Sequence, residues 1–90
     1  FMYAEGDCER ALALYRKSMR YTLRFFGENV EYGITWQNMA HVYEKMGQRT
    51  EAAAALERAE KAYARLLGPE HERTQSARDE LQRLRRANGA

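Results

Sequence analysis

Residues 35–52, TWQNMAHVYEKMGQRTEA, hold the end of one predicted helix, a glycine stop and the start of another helix. Small and apolar side chains recur every three or four residues before Gly47, which is the spacing of one face of an amphipathic helix. A second stripe of this kind begins at Ala52 and continues to Leu67. Glycine is the usual residue just past a helix C-terminus, because it adopts the left-handed conformation without strain. The stretch therefore predicts two antiparallel helices joined by a short turn.

The other glycines extend this arrangement along the chain. Intervals of 20 or 21 residues separate Gly6, Gly27, Gly47, Gly68 and Gly89. Stops at this even spacing predict the tail of a truncated helix at residues 1–5, followed by helices of similar length. The predicted helices cover residues 8–26, 30–46, 50–67 and 72–87, with Asp7 as the N-cap of the first. Short loops force neighbouring helices to run antiparallel, so the predicted fold is all-α.

The chain also aligns with itself at a shift of 41 residues. Six aligned pairs are identical, and they include the stops at Gly27 and Gly68. At the stripe positions, aligned side chains that are not identical are still similar in size. A repeated helical hairpin of this length predicts an α-solenoid, in which each hairpin stacks on the next. The predicted repeat units are residues 6–46 and 47–87, and the basic last helix is the predicted terminal cap.

The composition excludes several other classes of protein. Apolar residues make up 44% of the 90 residues and charged residues 31%, which is too apolar for disorder and too polar for a membrane protein. No stretch has the length and apolar character of a spanning helix or a signal peptide. The chain opens at Phe1 without a methionine, so we expect it to be a piece of a longer protein. Cys8 is the single cysteine, which excludes an internal disulfide and favours a reducing, cytoplasmic location.

The chain resembles a known family in its motifs. One set of residues resembles the tetratricopeptide repeat signature, in residue type and in spacing. Its members are Trp36, Met39, Ala40, Tyr43, Gly47, Ala52, Leu56 and Ala59. Residues 66–74, LLGPEHERT, resemble the link between repeats in kinesin light chains, and residues 35–52 resemble the hairpin of that subfamily. The resemblance covers about residues 6–81. It implies helical hairpins stacked as a right-handed superhelix, whose first helices line a concave groove for partner peptides.

The resemblance also implies where a partner would bind. The family's groove-facing positions fall on Ile34, Gln37, Asn38, His41 and Lys45. This mixture of amide, imidazole and lysine suits hydrogen bonds to the backbone of an internal peptide segment. It differs from the basic pattern that clamps a C-terminal carboxylate, so a partner's C-terminal tail is disfavoured. The predicted function is a protein–protein interaction module that binds a peptide segment of its partner.

An alternative function is a structural or assembly element. The same helix pairs would then stack on further repeats, or on another copy of the chain, without binding a peptide. Phe1, Met2 and Tyr3 have the character of the end of a helix whose beginning is missing, which would leave an apolar side of the next helix exposed. Exposed apolar stripes at the ends of solenoids associate with partners. We therefore expect a homodimer through this N-terminal face.

Catalytic and metal-binding chemistry has little support in the sequence. His41 and Glu44 lie one helical turn apart, but no further ligand joins them at a metal-binding spacing. Glu70, His71 and Glu72 lie in a predicted loop rather than a cleft, so a loop or capping role is favoured for His71. No nucleophile, base and orienting residue occur together. The sequence therefore predicts neither an enzyme nor a bound cofactor or metal.

Two sets of side chains could form a surface for other partners. The first set is aromatic, and all of its members except Tyr32 occupy stripe positions, which favours packing over the stacking of nucleic-acid bases. Its members are Tyr15, Phe25, Phe26, Tyr32, Trp36, Tyr43 and Tyr63. The second set is the basic row Arg16, Arg20 and Arg24, for which a solvated face is favoured over a site for tubulin, nucleic acid or an acidic helix. The net charge of +2 makes nucleic acid an unlikely partner.

Overall fold

The computed structural model describes residues 5–89, and within them the chain forms α-helices and no strand. The helices are α1 (Glu5–Phe25), α2 (Val30–Lys45), α3 (Arg49–Leu67) and α4 (Glu72–Gly89). Each helix packs against its neighbours along the chain, α1 on α2, α2 on α3 and α3 on α4. The predicted all-α fold of stacked helical hairpins is confirmed. No helix in this part of the chain is long and apolar enough to cross a membrane.

Three of the evenly spaced glycines end helices as predicted. Gly27, Gly47 and Gly68 have φ angles of 75°, 77° and 98°, in the left-handed region that favours glycine. The turn at Gly27 is closed by its own N–H, which donates to the carbonyl oxygen of Thr22 at 2.9 Å. At the next turn, the N–H of Gln48 donates to the carbonyl oxygen of Tyr43 at 2.9 Å. These glycines follow the ends of α1, α2 and α3 within two residues.

The predicted stop at Gly6 is wrong. The helix α1 begins at Glu5 and continues through Gly6 and Asp7, so Asp7 is not an N-cap. A glycine inside a helix costs only about 1 kcal/mol relative to alanine, and a long helix whose first turns pack through Cys8 and Leu12 tolerates that cost. The spacing of the glycines therefore overstates the number of stops. The predicted truncated helix at residues 1–5, with its apolar residues Phe1, Met2 and Tyr3, lies almost entirely outside the described residues.

The helix starts depend on side chains that the glycine pattern does not reveal. Asn29 caps α2, because its side-chain oxygen accepts a hydrogen bond from the N–H of Tyr32 at 3.0 Å. Before α4, the Nδ1 atom of His71 accepts a hydrogen bond from the N–H of Arg73 at 3.1 Å. The hydroxyl of Thr74 donates to the carbonyl oxygen of Gly68 at 2.8 Å and closes the same loop. His71 thus has the capping role that was favoured over catalysis.

The core positions of α2 recur in α4 with an offset of 42 residues. The buried residues Ala77, Leu81 and Leu84 of α4 lie 42 residues after Thr35, Met39 and Val42 of α2, which are also buried. Between these two helices, α3 contributes mainly alanines to the buried clusters. These buried alanines are Ala52, Ala55, Ala59 and Ala62. Because they are small, the large side chains of α2 and α4 fill the space between the helices.

The remaining glycine of the chain, Gly33, lies where a side chain of α3 approaches the backbone of α2. A Cβ atom placed on Gly33 would lie 2.7 Å from Cε1 of Tyr63, and the Tyr63 side chain is fully buried. Gly33 is therefore a packing residue and not a helix stop, which explains why it lies outside the even series. Only the absence of a side chain at Gly33 leaves room for the Tyr63 ring beside α2.

The division of the aromatic residues into buried and exposed ones differs from the prediction. Tyr32, the one aromatic assigned outside the stripes, is buried and packs edge-on against Trp36, with ring centroids 6.3 Å apart. Phe25 and Phe26, which were expected to pack in the core, are exposed at the end of α1. Their prediction is wrong because a stripe position faces the core only where another helix covers it. No helix among the described residues covers that side of α1.

Candidate partner-binding groove

The face of α2 that was predicted to bind a partner is turned toward α4. Two of the predicted residues, Gln37 and His41, form contacts with α4. Glu44, which was not among the predicted residues, does the same one turn further along. Their partners are Glu80 and Arg83, which lie one turn apart on α4. The two helices therefore form the walls of a shallow groove, and polar side chains bridge its floor.

The floor begins at a buried tyrosine. The hydroxyl of Tyr63 donates a hydrogen bond to Oε1 of Gln37 at 2.9 Å. Nε2 of Gln37 donates in turn to Oε2 of Glu80 at 3.3 Å. Burial raises the pKa of Tyr63, so the tyrosine remains a neutral hydrogen-bond donor. Hydrogen bonds therefore hold both the oxygen and the nitrogen of the Gln37 amide. Through them this residue of α2 is joined to α3 and to α4.

His41 is held by the same carboxylate. Its Nε2 atom donates to Oε1 of Glu80 at 2.8 Å and lies 3.3 Å from Oε2. This hydrogen bond raises the pKa of His41 above its ordinary value of 6.5, against the opposing effect of partial burial. The positive charge on the groove is therefore retained to higher pH than on a free histidine.

A dependence of stability on pH follows from the raised pKa of His41. The stabilisation by the His41–Glu80 pair is complete below the unfolded value of 6.5 and is lost as the pH rises through the folded pKa. We expect Glu80→Gln to lower the pKa of His41, measured by NMR from its imidazole ring protons, and to remove this loss of stability. A pKa of His41 that is the same in both proteins would contradict the pairing.

The next turn of the groove carries an ion pair. Arg83 donates two hydrogen bonds to the Glu44 carboxylate, at 2.9 and 3.2 Å, in the paired geometry typical of arginine. These bonds hold the pKa of Glu44 below its ordinary value of 4.5. His41 and Glu44, the one-turn pair considered for a metal, are thus both engaged by α4. In residues 5–89, no three His, Cys, Asp or Glu side chains are close enough together to hold a metal ion.

The other predicted residues have separate positions. Ile34 is half-buried and packs against the cluster formed by Ala59, Tyr63 and Ala77. Asn38 is half-buried, and no hydrogen bond joins its side chain to another described residue. Lys45 is exposed at the open end of the groove. Of the five predicted residues, Gln37 and His41 contact α4, while Ile34 also supports the core.

Two shallow cavities lie along the groove. One of about 330 Å³ is lined by His41, Glu44 and Lys45. The other, of about 340 Å³, is lined by Gln37 and by residues at the start of α4, which are His71, Glu72, Arg73 and Ser76. A larger cavity of about 390 Å³ lies outside the groove, and its charged lining residues include Arg65 and Glu28, which pair with each other at 2.7 Å. The groove cavities are the ones whose lining residues match the predicted site.

Glu80 is the residue that the sequence-based prediction of the site missed. It lies 42 residues after Asn38, and the same offset relates the caps Asn29 and His71. The sequence analysis aligned the chain with itself at 41 residues and did not include Glu80 among the groove residues. It therefore did not find the acceptor at the centre of the groove.

The chain was compared with known proteins. A model of the tetratricopeptide repeat family matches residues 1–65, which include α1, α2 and most of α3. No curated protein matches the chain. No solved structure matches it.

Proposed function

This chain belongs to the tetratricopeptide repeat family, and on that premise we propose that the groove between α2 and α4 binds an extended segment of a partner protein. Repeats of this family generally mediate protein–protein interactions and typically act as non-catalytic scaffolds. The observation that carries the proposal is that polar side chains of α2 line two cavities beside α4, Gln37 one of them and His41, Glu44 and Lys45 the other. On the same helix, α4 engages neither the half-buried side chain of Asn38 nor the exposed side chain of Lys45.

An extended peptide suits this row because its backbone offers a donor and an acceptor at each residue. The Asn38 amide can bond to both groups of one peptide unit. Lys45 adds a positive charge at one end of the groove, beside the cavity that it lines with His41. A segment with an acidic residue at the Lys45 end would contact the side chains of Asn38, His41 and Lys45.

A selection experiment tests the groove. Peptides selected from a random phage-displayed library on the full chain should bind Asn38→Ala/Lys45→Ala more weakly, by about 1–3 kcal/mol, because each side chain contributes a hydrogen bond or a charge. Titration calorimetry measures the affinity. Lys61→Ala is the matched control, since Lys61 is an exposed lysine of α3 outside the groove. Unchanged binding by the groove variant, with unchanged helicity, would contradict the proposal.

Three finer assignments are part of the same proposal. The repeat units are residues 6–46 and 47–87, and the largely polar exposed surface of α4 supports its role as the terminal cap. The link LLGPEHERT at residues 66–74 supports a place in the kinesin-light-chain-like subfamily. A cytoplasmic location fits the single buried cysteine, Cys8.

A second candidate function is assembly through α1. Large apolar side chains are exposed on this helix and at its end, among them Leu14, Tyr21, Phe25 and Phe26. A homodimer through this face is the simplest assembly that would cover them. We expect the sedimentation coefficient of the 90-residue chain to rise with protein concentration. A strict monomer over the whole range would contradict the homodimer.

A further inference from the structure

The centre of the groove holds a carboxylate that can accept more hydrogen bonds than it receives from the protein. Oε1 of Glu80 accepts from Nε2 of His41 at 2.8 Å, and Oε2 accepts from Nε2 of Gln37 at the longer distance of 3.3 Å. A carboxylate offers about four acceptor sites, so these two donors leave Glu80 able to accept from a ligand. The Glu80 side chain is 23% exposed, which gives a ligand access to it from the groove.

The charge of Glu80 is only partly neutralised within the protein. Among residues 5–89, the ion pair that Glu80 forms is with His41, an imidazole that loses its own charge near neutral pH. Arg83 lies one turn away on α4, but its guanidinium donates to both oxygens of Glu44. When His41 is neutral, the centre of the groove therefore carries a negative charge.

A charge of the opposite sign lies one helical turn along α2. Lys45 is exposed, and it forms no ion pair with another described residue. It lines the same cavity as His41, the direct partner of Glu80. His41 and Lys45 lie four residues apart on α2, which is about 6 Å along the helix axis. The groove thus presents a negative and a positive group at a defined spacing.

This spacing matches that of side chains on one side of an extended peptide. In an extended segment, every second side chain points to the same side, and two such side chains lie about 6.6 Å apart. A segment that follows α2 can therefore place a basic side chain at Glu80 and an acidic side chain at Lys45. The residue between these two points away from the groove, so its type matters little.

From these contacts we propose that Glu80 determines the charge specificity of the groove, which selects an extended segment of another protein with a basic residue at Glu80 and an acidic residue, two positions away, at Lys45. This inference rests on the proposed function, because it names the class of segment that the groove takes. A segment with acidic residues at both positions is rejected, because Glu80 repels a second carboxylate at the centre of the groove.

His41 makes this selection depend on pH. The groups around it are Glu44 and Lys45 of α2, Glu80 and Arg83 of α4 and, through Gln37, the hydroxyl of Tyr63 on α3. Protonated His41 neutralises Glu80 and repels a basic residue of the segment, whereas neutral His41 leaves the carboxylate to that residue. The hydrogen bond to Glu80 raises the pKa of His41 above 6.5. The preference for a basic residue should therefore increase as the pH rises through this raised pKa.

A pair of peptide selections tests the charge pattern on the full chain. Peptides selected from a random phage-displayed library at about pH 8, where a free histidine is neutral, should carry Lys or Arg two positions from Asp or Glu. A selection on Glu80→Gln should keep the acidic residue and lose the basic one. Glutamine is similar in size and still accepts a hydrogen bond, but it carries no charge. Equal enrichment of the basic residue in both selections would overturn the proposal.

A double-mutant cycle locates the contact of the basic residue. It compares the tightest selected peptide with a version in which glutamine replaces that residue. Glu80→Gln and the peptide substitution should each weaken binding by about fivefold, measured by titration calorimetry, and both together should weaken it little more than either alone. Independent effects, which would multiply to about 25-fold, would overturn the contact with Glu80.

Glu9→Gln is the matched control for this cycle. It removes the same charge from an exposed position of α1, which takes no part in the groove, so the affinity should change by less than about twofold. Circular dichroism checks that each variant keeps its helices. The peptide substitution leaves the protein unchanged, so its effect tests the charge preference even if Glu80→Gln is destabilised. A loss with Glu9→Gln equal to that with Glu80→Gln would contradict a local role of Glu80.

A pH series tests the competition between His41 and the segment for Glu80. The affinity ratio of the basic peptide to its glutamine version should rise about threefold between about pH 5.5 and about pH 8.5. Both peptides share every other titrating group, so the ratio isolates the effect on the basic residue. In His41→Gln the ratio should stay constant, because the titrating partner of Glu80 is absent. A ratio that does not change with pH in the wild type would contradict the competition.

Asn38→Ala/Lys45→Ala separates failure of the charge specificity from failure of the groove itself. Weaker binding to this variant, together with coupling between Glu80 and the basic residue, is the expected result. Peptides that lose affinity for this variant but show no coupling to Glu80 would overturn the charge specificity alone. Peptides that bind this variant and Glu80→Gln as tightly as the wild type would overturn both the groove function and its specificity.

Discussion

Tyr63→Ala is expected to lower the free energy of unfolding by about 3–5 kcal/mol, the usual cost of removing a large buried aromatic ring. Tyr63 is fully buried in the cluster with Ala59 and Ala77, and α2 packs against the same cluster through Ile34 and Trp36. The two other members of this cluster are alanines, which cannot fill the space that the ring leaves. Urea denaturation followed by circular dichroism measures the loss.

Tyr63→Phe separates the ring from its hydroxyl. The phenylalanine keeps the packing against Gly33 but removes the hydrogen bond to Gln37, which is 2.9 Å long. We expect a loss of about 1 kcal/mol, near the net value of one hydrogen bond. A Tyr63→Ala variant that loses no more than the Tyr63→Phe variant would show that the ring does not support the contact between α2 and α3.

Gly33→Ala is expected to destabilise the protein by about 1–3 kcal/mol through overpacking. The new Cβ atom would lie 2.7, 3.0 and 3.3 Å from three atoms of the Tyr63 ring. Since this ring is buried on all sides and hydrogen-bonded at its tip, it cannot move away without displacing α2 from α3. The melting temperature should fall by roughly 4–8 °C for each kcal/mol lost.

Gly6→Ala is the matched control for Gly33→Ala. Gly6 also lies inside a helix, but a Cβ atom there meets no atom of the described residues within 4 Å. The alanine should therefore stabilise α1 by about 0.5–1 kcal/mol, through its higher helix propensity. Opposite signs at the two glycines are the expected result. If both substitutions stabilise the protein, Gly33 is not the close contact of α2 and α3.

The coupling between Gly33 and Tyr63 can be measured directly. In the Tyr63→Ala background the ring is absent, so Gly33→Ala should cost little or become favourable. The two destabilisations would then be far from additive. Additive effects would indicate that Gly33→Ala acts through the backbone of α2 alone, and the explanation by contact with the ring would be wrong.

The helices and their repeat could be predicted from the sequence because they depend on local chemistry. Gly27, Gly47 and Gly68 end helices through their own backbone conformation, which no distant contact is needed to produce. The stripes of small and apolar residues likewise follow from the helical period. Gly6 shows the limit, because a glycine inside a helix and a glycine after one differ only in the backbone conformation that the surrounding structure selects.

The sequence indicated which helix carries the groove, but not the contacts that form it. The resemblance to tetratricopeptide repeats directed attention to α2, and Gln37, His41 and Lys45 do line cavities along it. The partners of the polar residues could not be found in this way. Glu80 lies 39 residues from His41 in the chain, and only the packing of α4 against α3 brings its carboxylate to 2.8 Å from the imidazole.

By itself, the sequence determined the helix stops at Gly27, Gly47 and Gly68, the 41-residue repeat and membership in a family of helical hairpins. Each of these depends on backbone preference or on the spacing of side chains along one helix. The tertiary structure alone decided which stripes are covered. Phe25 and Ala62 both occupy stripe positions, yet Phe25 is exposed and Ala62 is buried, because burial requires a second helix at the right distance. The distance between two helices is set by side chains from both helices, so it cannot be read from a single stretch of the sequence.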